Sequence, residues 1–197
     1  MSENLIEVKK LVTQFSGKNG TVTAVDGVSF NIKKGETLGI VGESGCGKST
    51  LGRTILRLIE PDGGEILYNG KDIVKSKVSE MKRLRQELQI IFQDPYASLN
   101  PRMTVSQVIS EPLKLHGIAK GAELDRRVFS LMETVGLSER LVNAYPHELD
   151  GGRRQRVCIA RALALEPKII VCDEPVSALD VSIQAQILNL LMDLQDE

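Results

Sequence analysis

Gly42-Glu43-Ser44-Gly45-Cys46-Gly47-Lys48-Ser49-Thr50 is the stretch on which the fold of this 197-residue chain turns. It follows a short continuous apolar run, Thr37-Leu38-Gly39-Ile40-Val41, of the kind a buried parallel strand requires. A helix is expected after it, from Lys48 to Ile59, stopped by Pro61. Glycines at Gly42, Gly45 and Gly47 let the backbone turn its amides inward around an anion, and the helix N-terminus adds partial positive charge. Lys48 then reaches terminal phosphates as a mobile point charge, and Ser49 offers a hydroxyl to Mg²⁺. The stretch therefore reads as a phosphate-binding loop for ATP, with Ser44, Cys46 and Thr50 completing its wall.

Outward from the loop, the first third reads as strands at Leu5 to Val8, Val22 to Ile32 and Glu65 to Tyr68. A second apolar run, Leu88 to Phe92, ends in Gln93-Asp94-Pro95. The texture then becomes helical, with apolar residues at three- and four-residue spacing over Thr104 to Leu115 and Glu123 to Val135. A further helix follows Gly151-Gly152 through Leu165, a third buried strand spans Lys168 to Asp173, and a last helix runs from about Val181 to Leu194. Apolar content of 42% is enough to bury a sizeable interior. The net charge of -1 gives no global field to draw in nucleic acid or an anionic membrane surface. Cys46, Cys158 and Cys172 lack paired metal-site spacing and read as reduced packing residues. The charged stretch Met1 to Lys10 has no export-signal pattern, and no apolar run approaches the ~20 residues that span a bilayer.

Asp173 and Glu174 close an apolar strand, which puts two carboxylates at the C-terminal edge of a parallel sheet, where ligands of such sheets bind. Asp173 is expected to hold Mg²⁺ through a coordinated water, and Glu174 to polarise the attacking water as general base. Phosphoryl transfer asks a protein mainly for positioning and charge stabilisation, and Lys48, Asp173 and Glu174 supply both.

The order of these motifs resembles the ATP-binding cassette family, the nucleotide-binding subunits of ABC transporters, over essentially the whole chain. By that resemblance Gln93 is similar to the glutamine that contacts metal and water and joins the catalytic core to a helical lobe. Ser177-Ala178-Leu179-Asp180 resembles the D-loop that meets the opposite subunit, with Ser177 and Asp180 as its polar ends. Phe15 is similar in position to the aromatic that stacks on adenine. The segments Gln93-Asp94-Pro95-Tyr96-Ala97-Ser98-Leu99-Asn100-Pro101-Arg102-Met103-Thr104 and Tyr145-Pro146-His147-Glu148 resemble oligopeptide, dipeptide and nickel importer subunits more closely still. The resemblance implies an α/β P-loop core with an N-terminal antiparallel β subdomain. Residues 1–93 and 159–197 would form the core, and residues 94–158 an inserted helical subdomain. It also implies ATP and Mg²⁺ as ligands, a second ATP-binding subunit, transmembrane permease subunits, and a peripheral site on the cytoplasmic side of the membrane.

Two departures qualify the resemblance. The family signature Leu-Ser-Gly-Gly-Gln reads here Leu149-Asp150-Gly151-Gly152-Arg153. In the family this loop holds the γ-phosphate of ATP bound to the other subunit. Asp150 caps a helix as well as serine does, but sets a negative charge beside a phosphate. At ~4 Å and an effective dielectric near 20, each like unit charge costs about 4 kcal/mol before screening, and Arg153 is a nearby cation that offsets part of it. The chain also ends at Glu197, before the strand that carries the family's switch histidine, so the domain is expected to be incomplete at its C-terminus. His116 and His147 lie upstream and read as packing and turn residues. Two alternatives to an importer ATPase stay open. One is an ATP-binding module with little hydrolysis of its own; the other is a non-transport ATPase of the same family.

Overall fold

β1 (Asn4–Gly17) is the spine of the first part of the chain, antiparallel to β2 (Gly20–Lys33) on one side and to β3 (Gly63–Tyr68) on the other. β4 (Lys71–Asp72) closes the edge, giving the order β2-β1-β3-β4. The structure, a computed structural model, describes residues 4–17 and 20–196 and divides into two units, the first ending at Arg85 and the second beginning at Gln86. Met1–Glu3 of the stretch read as lacking an export signal, Lys18 and Asn19 of the loop after Phe15, and Glu197 lie outside the described residues.

The buried side chains of β1 are Ile6 and Val8, then Leu11 and Thr13, a shift from even to odd positions. Strand side chains alternate between faces, so keeping the same face buried across that shift requires one inserted residue. The pairing with β2 does slip between Val8 and Leu11, where Lys10 takes a φ of 47°. Opposite the bulge stands Gly64, with a φ of 89°, where a Cβ would come within 2.4 Å of the Lys10 carbonyl. Only glycine fits that close backbone approach.

α1 (Lys48–Ile55) packs against this sheet through Leu51 and Ile55, both buried. Thr13 Oγ1 and Thr54 Oγ1 meet at 3.2 Å inside the unit, and Thr54 also donates to the Thr50 carbonyl at 2.8 Å. The helix is four residues shorter than its apolar pattern predicts. Arg57 turns left-handed, with φ 52°, and its guanidinium donates to the carbonyls of Ile73 (3.0 Å) and Ser76 (2.6 Å) while Nε meets Glu60 at 2.9 Å. Those tertiary bonds outweigh the weak preference for one more turn. α2 (Val78–Glu87) buries Met81 alone, with Val78 exposed, and has no apolar stripe in its sequence to announce it.

In the second unit β5 (Leu88–Ile91) and β6 (Ile169–Cys172) form a parallel pair, Leu88 opposite Ile169 and Ile91 opposite Cys172. Between them in sequence come α3 (Pro95–Ser98), α4 (Val105–Leu115), α5 (Ala122–Thr134) and α6 (Gly151–Leu163), and α7 (Val181–Asp196) follows β6. α4 begins where Thr104 closes a reciprocal capping box, its Oγ1 accepting the Gln107 amide while Gln107 Oε1 accepts the Thr104 amide at 2.9 Å. Val108, Ile109, Met132, Val157, Ile159 and Ile187 form the core of this unit, each burial of such a side chain contributing about 1.5–3 kcal/mol.

One expected element is absent. Thr37–Val41 belongs to neither sheet and is exposed, Val41 at 97%. Apolar character suits a run to a buried strand but does not supply the neighbouring ladder that makes it one, and no described strand pairs with it. The glycine loop therefore opens a helix as expected without a regular strand leading into it.

Candidate functional site

The glycine-rich loop from Gly42 to Thr50 belongs to the first unit, where α1 starts at Lys48 directly after Gly47. Gly47 has a φ of 96°, and a Cβ there would stand 2.1 Å from the Ala24 carbonyl of β2. Glycine is thus required twice, for its left-handed backbone and for the approach to β2. Lys48 folds back across the loop, its Nζ donating to the carbonyls of Gly42 and Glu43, both at 2.9 Å. The ammonium is thereby held at the mouth of the turn, where an incoming phosphate can exchange with those carbonyls. Gly42, Ser44, Gly45 and Cys46 are exposed, while Gly47, Lys48, Ser49 and Thr50 are half-buried. Phe15 sits on β1 opposite Val22 and is 46% exposed, two residues of β2 away from the Ala24 carbonyl that backs the loop.

In the second unit the carboxylates stand as the strand pattern requires. Asp173 extends the ladder, its amide donating to the Ile91 carbonyl at 2.9 Å, and it is buried. Glu174 is exposed and takes a φ of 47°, a conformation rare for a residue with a Cβ. Gln93, from the end of β5, donates through Nε2 to Glu174 Oε2 at 2.8 Å and to Ser177 Oγ at 3.3 Å. Ser177 Oγ donates in turn to the Glu174 carbonyl at 3.2 Å. Gln93, Glu174 and Ser177 form one network, and the sequence reading had no signal for the Ser177 link. With its nitrogen turned to Glu174, Gln93 keeps an amide oxygen as a hard ligand atom. In this unit that amide oxygen and the Asp173 carboxylate are oxygen donors, the ligand type that Mg²⁺ takes, and the first unit offers the same type in the Ser49 hydroxyl. Among the described residues no cluster of three or more His, Cys, Asp or Glu could hold a metal by itself.

The altered signature opens α6. Asp150 is its N-cap, Oδ1 accepting the Arg153 amide at 2.8 Å, and Oδ2 lies 3.4 Å from Arg153 Nε. The two glycines lie against Leu179, in the turn after Ser177, and against Ile183 of α7. A Cβ on Gly151 would meet Leu179 at 3.1 Å, and one on Gly152 would meet Ile183 at 2.8 Å. Asp180 is exposed at the end of that turn. His116 pairs through Nδ1 with Gln86 Nε2 at 2.7 Å, and His147 stacks on Tyr145 at 5.7 Å, as expected of packing and turn residues. Of the three cysteines only Cys158 is a buried packing residue, since Cys46 and Cys172 are exposed. Burial pushes the Cys158 thiol up to about 11, its Sγ lying 4.0 Å from the Pro95 carbonyl.

Comparison with known proteins agrees with this geometry. The family model described as ABC transporter matches residues 25–177. The oligopeptide transport ATP-binding protein OppF of Bacillus subtilis is 56% identical over 199 residues, covering all of this chain and 65% of that protein. The glutathione import ATP-binding protein GsiA of Escherichia coli K12 is 53% identical over 200 residues, 98% of this chain and 32% of its own length. The chain thus spans less than two thirds of either relative. Among solved structures, the ATP-binding cassette MJ0796 in a dimeric post-hydrolysis state bound to ADP and Pi superposes with a TM-score of 0.88 at 32% identity, covering 97% of this chain and 83% of that one. CbiO1 of Clostridium perfringens, part of the ABC transporter complex cbiONQ, gives 0.82 at 32% identity over 99% of this chain and 75% of that one. A family match over most of the chain, and majority identity to relatives along nearly all of it, make this chain a member of the ABC transporter family.

Proposed function

We propose that the chain is the ATP-binding and ATP-hydrolysing subunit of an importer of small peptides. The hydrogen bond from Gln93 to Glu174 carries the reading, because it joins a metal-side amide to the carboxylate suited to activate water. The phosphate loop, Gly42 to Thr50, binds the polyphosphate, and Lys48 neutralises its terminal charge. Phe15 stacks on adenine. Ser49 and Gln93 would hold Mg²⁺ directly and Asp173 through water; the ion, when bound, neutralises charge on the phosphate oxygens. Glu174 then takes the proton of the attacking water while Gln93 keeps the carboxylate oriented. Residues 94–158 serve as the helical subdomain and the remainder as the core.

Peptide cargo is favoured by the oligopeptide and glutathione import names of the relatives and by the segment from Gln93 to Thr104. The partners are a second ATP-binding subunit, in line with the dimeric cassette MJ0796, and transmembrane permease subunits. No described helix is long and apolar enough to cross a membrane, and attachment through the permease would hold the chain at the cytoplasmic face. The Asp150–Arg153 pair favours a second reading, in which the chain binds ATP but lends its partner's site little support.

Reconstitution of the full-length protein with its permease in liposomes, measuring ATP turnover and uptake of di- to pentapeptides against nickel, tests the proposal. Peptide-stimulated turnover with peptide uptake is expected. ATP binding without turnover would favour the second reading, and nickel uptake alone would overturn the cargo.

A further inference from the structure

The geometry points to Arg154 and Tyr96 as a positioning pair that fastens the catalytic Gln93 to the signature helix, an inference that rests on the ATPase reading. Both act through Gln93 and are positioning residues rather than catalytic ones. Both flank the machinery closely. Gln93 precedes Asp94, the N-cap of α3, whose Oδ1 accepts the amides of Tyr96 (2.8 Å) and Ala97 (3.2 Å). The tight turn so made is clasped by one face of α6. Arg154, Cys158 and Arg161 recur at spacings of four and three, which line one side of a helix. The Arg154 guanidinium lies over the Tyr96 ring at 5.1 Å, Cys158 Sγ faces the Pro95 carbonyl at 4.0 Å, and Arg161 donates to the Ser98 carbonyl at 2.7 Å.

Arg154 has the largest lever of the three because it lies in the first turn of α6, beside the signature. Its amide donates to the Asp150 carbonyl at 3.0 Å, and its Nε to the Pro146 carbonyl at 2.7 Å. That second bond fixes the plane of the guanidinium, so the group has one orientation in which to stack on Tyr96. A movement of the signature turn is therefore passed through Arg154 to Tyr96, and from the Asp94-capped turn to Gln93. A chain of rigid contacts of this kind couples two sites only if breaking one link changes the other end. Tyr96 is 61% exposed and contributes little to the core, so its presence in the clasp is not explained by burial.

Turnover by the full-length protein in its transporter complex tests the pair, with Arg154→Ala, Tyr96→Ala, Tyr96→Phe and the double alanine variant compared. Each alanine variant is expected to lower kcat roughly tenfold with KM for ATP within about twofold, since displacement of a positioned group by less than 1 Å has effects of that order. Tyr96→Phe keeps the ring and should retain wild-type kcat. The double variant should be no worse than about twice the poorer single, because both break one link. Hydrogen exchange of the amides of Tyr96 and Ala97 should rise in Arg154→Ala, a readout independent of turnover. If Arg154→Ala does not fold, the contrast between Tyr96→Ala and Tyr96→Phe decides. Unchanged kcat in the alanine variants, additive losses, or equal damage from Tyr96→Phe overturns the pair while the ATPase reading stands. A wild-type complex without turnover overturns both.

Discussion

Asp150 and Arg153 satisfy one another within a single helical turn, the carboxylate taking the arginine amide on one oxygen (2.8 Å) and lying 3.4 Å from its Nε on the other. Both side chains are more than half exposed, so the ion pair itself is worth at most about 1 kcal/mol in water. Its consequence is for function. A γ-phosphate approaching the start of α6 meets a carboxylate where a neutral hydroxyl would donate, and the nearest cation is already engaged. Restoring the neutral pair, Asp150→Ser with Arg153→Gln, should raise ATP turnover of the assembled dimer several-fold while leaving nucleotide affinity of this chain's own loop unchanged. Asp150→Ala should instead cost about 1 kcal/mol of stability through the lost cap. Steady-state turnover beside thermal melting separates the two effects, and an unaltered rate in the double variant sinks the functional one.

Glu174 is held by Gln93 and by a strained backbone, and the two contributions can be separated. Glu174→Gln keeps the shape and the Gln93 contact but removes the proton acceptor. Turnover should fall by at least about 10²-fold while ATP binding persists. Glu174→Gly should relieve the positive φ, so that its melting temperature stays level or rises although turnover is equally lost. Single-turnover hydrolysis with labelled ATP, set beside equilibrium binding, checks both variants. Loss of binding in Glu174→Gln would place the residue in nucleotide capture rather than in water activation.

Local rules carry most of what was legible in the sequence. The glycine-rich loop opening α1 and the helices α4 to α7 each follow from spacing within a few residues. Thr37–Val41 misled because a parallel strand is made by its neighbours, and its own composition says nothing of whether they pair with it. The shortened α1 was hidden for a similar reason: Arg57 is drawn off by carbonyls at Ile73 and Ser76, 16 and 19 residues away. Lys48, Gln93, Asp173 and Glu174 are candidates that motif order singles out, and of these Gln93 and Glu174 are hydrogen-bonded in the structure. The Ser177 bond to Gln93 and the Arg154 stack on Tyr96 could not be read from it, because both join residues at least 58 positions apart and neither has a sequence period to betray it.

Gln155 is fully buried in α6, and among the described residues neither its Oε1 nor its Nε2 has a hydrogen-bond partner in the protein. A buried amide without protein partners costs about 1–3 kcal/mol, whereas an apolar side chain of similar volume at that place does not. Gln155→Leu or Gln155→Met is therefore expected to raise stability by about 1 kcal/mol, seen as a higher urea midpoint at unchanged m. A drop of similar size would show that the amide is satisfied in solution.

Cys158 contributes to the alkaline limb of stability, beside Cys172, whose thiol is likewise raised to about 11. Burial raises the Cys158 thiol from 9.0 to about 11, so between those values the unfolded chain has released a proton that the folded chain still holds. Fewer protons bound in the unfolded state means that stability falls as pH rises, fully present below about 9 and declining through about 11. Two pH units of separation correspond to about 3 kcal/mol at the upper end. Cys158→Ala removes this proton and should lessen the fall between pH 9 and 11, leaving the share due to Cys172, at a small constant cost for the cavity left beside Pro95. Alkylation gives a second measure: at pH 8 a reagent specific for thiolates should label exposed Cys46 and spare buried Cys158 until the protein unfolds. Urea midpoints of the two proteins across the pH range, with labelling followed by mass spectrometry, check both statements. Parallel declines in wild type and Cys158→Ala would assign the alkaline limb to other groups.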